Sequence, residues 1–162
     1  MSNVIEWIND TIINSENDKI EANEIIDIKD FALLWNLFES LCCNKFANMN
    51  KINNLIDTKI DLFSQSEYQE FFDYYYNRYK NDNAKFSALK LRNGDKELVQ
   101  KVLNDEYTDK NNQLKLILAI IYRYRNNLFH GEKNMQYIKL QKENFENANN
   151  FLMYFIEKCK GN

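Results

Sequence analysis

Proline is absent from this 162-residue chain, and glycine occurs three times, as Gly94, Gly131 and Gly161. Sheet proteins turn every few residues and use such positions to do it, so this scarcity argues against a β-rich fold. Histidine is represented by His130 alone. Three cysteines (Cys42, Cys43 and Cys159), no Cys-x-x-Cys pair and one histidine cannot assemble a zinc set. The odd cysteine count also disfavours a disulfide framework, and the thiols read as small buried apolar groups in a reducing compartment. No apolar run reaches the roughly 18 residues of a membrane span. The longest, from Leu114 to Tyr122, is broken by Lys115. The N-terminus, Met1-Ser2-Asn3-Val4-Ile5-Glu6-Trp7, lacks the basic segment and long apolar core of a signal peptide. A cytoplasmic location with no membrane association is therefore expected. An excess of positive charge is missing too: the formal charge is −3 and the pI about 5.3. That counts against a broad basic surface for long duplexes, while leaving room for a few Arg and Lys around one phosphate.

Apolar residues make up 44% of the chain and charged residues 28%, values of an ordinary globular protein. The length suits one domain able to bury a core without a disulfide or metal. Residues 1–162 are read as that single domain, with a core over roughly 28–158, and no repeat or linker interrupts it. The abundance of Asn, Lys and Ile suggests an AT-rich bacterial or phage genome.

Apolar spacing predicts an all-α fold, an antiparallel helical bundle with short additional helices. Val4, Ile5, Ile8 and Ile12 suggest a short helix over 3–13, and residues 20–28 are ambiguous. Phe31, Leu34, Trp35, Phe38, Leu41, Cys42 and Phe46 mark a strong helix over 29–46, with Asp27 or Asp30 as its cap. A weaker helix is expected over 50–60. An aromatic one follows over 66–80, opened by a Ser66-Glu67-Tyr68-Gln69 capping box. Its Tyr74-Tyr75-Tyr76 run suits packing with a half-exposed face, base stacking being the alternative. Residues 81–95 are polar, and Arg92-Asn93-Gly94-Asp95 reads as a turn. Helices are expected over 96–103, 112–130 and 138–159, with Gly131 capping the second of these.

The helix over 112–130 is apolar on nearly every side from Leu114 to Tyr122, so it is expected to be buried all round, inside a bundle or a subunit interface. Its chemistry then changes abruptly. Arg123, Arg125, Asn126, Asn127 and His130 arrive within eight residues. Arg125 lies four past Ile121 on the stripe of Leu114, Ile117, Leu118 and Ile121. A guanidinium facing the core or an interface requires an acidic partner or an anionic ligand. Asn126 and His130, four apart, share a face, and Arg123 lies two turns from His130 on nearly the same face. Arg125 is offset from His130 by about 140°. The two do not meet easily on one helix, which opens the alternative that the cooperating Arg and His come from two chains.

The run Arg125-Asn126-Asn127-Leu128-Phe129-His130-Gly131 resembles the Arg-x4–6-His signature of HEPN domains, with a polar residue after the arginine. The apolar helix leading into it, Trp35-Asn36-Leu37-Phe38-Glu39 in an early helix, and the amphipathic closing helix are also similar to that family. The resemblance implies a HEPN-like helical bundle that dimerises, so that two motifs face each other. It implies a metal-independent endoribonuclease of a defence or toxin–antitoxin system, with RNA as substrate and an antitoxin or other defence protein as partner. Some family members are instead inactive adaptors. No cofactor or metal is implied. Catalytic roles fall to Arg125, His130 and Asn126, with Arg123, Glu39 and Asn127 as supporting candidates.

The chemistry is compatible. RNA is cut without metal when a base takes the 2′-OH proton, the oxygen attacks the phosphate and an acid protonates the leaving 5′ oxygen. Histidine, with a reference pKa of about 6.5, suits both tasks, and a dimer supplies two. Arginine grips phosphate with two donors and stabilises the transition-state charge. Each residue also has a plainer role: His130 interacting with a helix dipole, Arg125 pairing with Glu39, and the asparagines and Arg123 lying at a helix end or rim.

Overall fold

The computed structural model describes residues 3–129 and 140–161. Its regular elements are α1 (Val4–Thr11), α2 (Ile26–Cys42), α3 (Met49–Lys59), α4 (Gln65–Tyr79), α5 (Asn83–Ala88), α6 (Asn93–Leu103), α7 (Lys110–Phe129) and α8 (Lys142–Lys160). Short 3₁₀ turns occupy Glu16–Asp18, Ala22–Glu24 and Ile60–Leu62, and no strand occurs among the described residues. The chain is all-α, as the missing turn residues require.

Side-chain caps start several helices. The Asn3 side chain accepts from the Ile5 N–H at 3.1 Å, and Glu6 returns a bond to the Asn3 N–H. Asn48 accepts from the Lys51 N–H at 2.9 Å, and Asp82 from the Lys85 N–H at 2.9 Å. Each satisfies a donor that a helix start leaves open. The box of α4 is Ser64 with Glu67 rather than the expected one at Ser66, so the helix begins earlier. Neither Asp27 nor Asp30 caps α2, which starts at Ile26; Asp27 sits inside its first turn, where a negative charge meets the helix dipole.

Two stretches differ from expectation. The helix over 29–46 stops at Cys42 because Asn44 and Lys45 take positive φ, 50° and 83°. The Glu39 carboxylate accepts from the Ala47 N–H at 3.0 Å and holds the chain in that turn. The polar stretch 81–95 contains α5, and its Arg92-Asn93-Gly94-Asp95 signal is the start of α6 rather than a free turn. Phe86, Leu91 and Leu98 pack on the core from these segments, and that burial outweighs a weak local propensity.

The centre of the fold is α7. Leu116, Ile117, Leu118, Ala119, Ile120 and Ile121 are each at most 1% exposed. Helices α3, α4 and α6 pack around it, and α2 lies along α8 in the most extensive helix pair. Lys115, which breaks the apolar run, reaches out to Asp57 of α3 at 2.6 Å. Rings join the α2–α8 layer: Phe31 meets Phe145 at 5.0 Å, and Phe38 meets Phe155 at 5.8 Å. Among the described residues no helix is long and apolar enough to cross a membrane.

The tyrosine run of α4 is used for packing. Tyr75 is fully buried, the Tyr74 hydroxyl donates to Asn144 at 2.8 Å, and that of Tyr76 donates to Asp105 at 2.5 Å. Burial pushes the Tyr68 phenol up to about 12, and those of Tyr75 and Tyr124 well above their ordinary value. The unfolded phenols titrate near about pH 10. Above that pH the unfolded chain has released protons that the folded chain still holds, so stability falls as pH rises. The expected slope is about 1.4 kcal/mol per pH unit for each such phenol. Urea unfolding should show this as midpoints that drop steadily between about pH 10 and 11; constant midpoints would contradict it.

Candidate functional site

The last two turns of α7 carry polar side chains on two opposed faces. Arg123 and Asn127, one turn apart, form the first. Arg123 Nη2 donates to Asn127 Oδ1 at 3.0 Å. Both side chains also donate to the Leu89 carbonyl, Arg123 through Nε at 3.0 Å and Asn127 through Nδ2 at 3.2 Å. Leu89 caps the end of α5 and precedes Lys90, whose φ is 52°. The pair therefore closes the α5–α6 connection against α7. Asn127→Ala removes one donor to a buried carbonyl and leaves Arg123 without its amide partner. It is expected to cost about 1–3 kcal/mol, seen as a lower denaturation midpoint; an unchanged midpoint would rule the clamp out.

Arg125 and Phe129 form the second face. The guanidinium lies over the Phe129 ring, 5.4 Å from its centroid, and that ring is 57% exposed. Arg125 Nη1 donates to the buried Asn126 Oδ1 at 3.2 Å. Its Nε is buried without a hydrogen-bond partner. Among the described residues no carboxylate forms an ion pair with Arg125. Glu39 is engaged instead by the Ala47 amide, so the Glu39–Arg125 pair that the sequence allowed is not formed. A half-buried guanidinium with a free Nε donor and, among the described residues, no counter-charge is suited to an anion, because ligand oxygens then meet the desolvation cost.

The fold thus brings Arg125 and Asn126 together, turns Arg123 and Asn127 to a different task, and commits the Glu39 carboxylate of α2 to the α2–α3 turn. His130, and the proposed cap Gly131, lie outside the described residues. Among the described residues no three His, Cys, Asp or Glu side chains converge as a metal set would.

Behind the Arg123–Asn127 face lies a cavity of about 250 Å³ bounded by α4, α5, α7 and α8. Arg78, Lys85 and Lys90 line it, with Tyr79, Leu89 and Tyr124 as apolar walls. Sequence reasoning did not single these residues out. The one available signal was Arg78, a cation in the last turn of an otherwise aromatic helix; the lysines meet it only through tertiary packing.

Neither the family models, nor the curated proteins, nor the solved structures compared with this chain contain a match to it.

Proposed function

We propose that the chain is a metal-independent endoribonuclease of HEPN type that cleaves single-stranded RNA at a site shared between two copies. The observation that carries this reading is Arg125: half-buried, without a carboxylate partner among the described residues, bonded to Asn126 and five residues before the sole histidine. Arg125 grips the scissile phosphate with its fork of donors and stabilises the negative charge that builds on it. His130 of one copy removes the 2′-OH proton, and the oxygen attacks phosphorus. His130 of the other copy protonates the departing 5′ oxygen, which leaves a 2′,3′-cyclic phosphate and a 5′-hydroxyl end. Asn126 holds the guanidinium in place. The setting this implies is a prokaryotic or phage defence or toxin–antitoxin system with a neutralising partner protein.

The test uses end-labelled single-stranded RNA and the purified full chain with EDTA present. Cleavage to cyclic-phosphate ends supports the reading. Mixing wild-type chain with an excess of His130→Ala chain should lower activity by more than dilution, since a mixed dimer keeps only one of the two histidines the shared site needs. A strict monomer at micromolar concentration would sink the shared site. RNA binding without cleavage would favour a non-catalytic adaptor.

A further inference from the structure

We propose that the cavity between α4, α5, α7 and α8 binds a small phosphate monoester with a compact apolar body, on the side of α7 away from Arg125. Asn127, at its wall, is two residues past Arg125, about 200° round the helix, so this pocket and the Arg125 face are separate sites. The inference does not rest on the ribonuclease reading.

Charge is the first argument. Among the described residues three cations line the cavity and no carboxylate does. The nearest acids stand at the rim. Asp82 pairs with Lys85 at 2.9 Å, and Glu143 lies 3.9 Å from Arg78, beyond hydrogen-bond distance. The Arg78 side chain is only 19% exposed, and its Nε is buried without a hydrogen-bond partner. Its guanidinium lies 5.9 Å from the Tyr74 and Tyr79 ring centroids, which fix its orientation. A phosphate dianion matches such a cluster better than a monovalent anion, since each added charge meets another donor group.

Shape is the second. The Tyr79 and Tyr124 hydroxyls bond each other at 2.6 Å, so with Leu89 and Ala88 they present mainly hydrocarbon to the ligand. At about 250 Å³ the space falls just under the usual span of drug-sized pockets, roughly 300–1,000 Å³, and holds one ring with its phosphate. The backbone that carries both lysines is placed in advance, because Arg123 and Asn127 clamp the Leu89 carbonyl that lies between them in the chain. Preorganisation of this kind lowers the entropic cost of binding.

Phenyl phosphate is the probe, titrated calorimetrically into the full-length chain beside phenol and inorganic phosphate. Phenyl phosphate should bind at least about tenfold more tightly than either fragment. Lys85→Gln alters a half-exposed side chain and should leave the fold intact; it and Arg78→Gln should each weaken binding about tenfold or more. Arg125→Ala should leave this affinity unchanged. Absence of binding overturns the proposal. So does inorganic phosphate binding as tightly as the ester, or an affinity that Lys85→Gln does not move. Should Arg78→Gln fail to fold, Lys85→Gln decides alone.

Discussion

Arg125→Ala should lower RNA cleavage by about 10²–10³-fold while leaving thermal stability nearly unchanged. The guanidinium has no ion pair among the described residues, one bond to Asn126 and one exposed ring beneath it, so its loss removes little that holds the fold. In the proposed reaction it removes the group that meets the phosphate charge. His130→Ala should cost a further-reaching 10²–10⁴-fold, roughly, because histidine is the side chain whose ordinary pKa lies nearest neutrality and the chain has one. Arg125→Lys keeps the charge but loses the two-pronged grip, and should fall between wild type and Arg125→Ala. The measurement is initial cleavage rate with EDTA, beside circular-dichroism melts of every variant. Full activity in His130→Ala would end the proposed mechanism, and a collapse of the Arg125→Ala melt would assign that residue to structure.

Phe155→Ala is expected to be the most damaging substitution away from the site, at about 3–5 kcal/mol. Phe155 is fully buried in α8, stacked on Phe63 at 4.7 Å, edge-on to Phe38 at 5.8 Å and tilted against Phe151 at 5.8 Å. It thus joins the α2–α8 pair to the segment before α4. Truncation to a methyl opens a cavity that three rigid rings cannot fill, so the transfer and cavity costs add. For a chain of this length each kcal/mol lowers the melting temperature by about 2–4 °C, so a fall of about 6–20 °C should appear by calorimetry. A fall under about 3 °C would show that the rings repack, contrary to this account.

Much of the fold was legible because helical periodicity is a local property. The seam of α7 from Leu114 to Ile121 could belong only to a surrounded helix, and the chain surrounds it. The absence of proline and rarity of glycine excluded sheets for an equally local reason. What the pattern missed were short elements stabilised from outside, such as α5, and boundaries set by backbone conformation, such as the stop of α2 at Asn44 and Lys45.

At the candidate site the division is similar. The sequence by itself determined that Arg125 must face protein or partner while needing an anion or acid, because spacing on a helix dictates direction. It also pointed to His130, the sole histidine, as the candidate for proton transfer near neutral pH. Only the tertiary structure decided that Glu39 is not that acid, since its carboxylate is spent on the Ala47 amide eight residues on. Only tertiary structure, too, separated Arg123 and Asn127 from Arg125 and Asn126. Neighbours in sequence point to different sides of a helix, and which side meets the Leu89 carbonyl depends on where α5 packs.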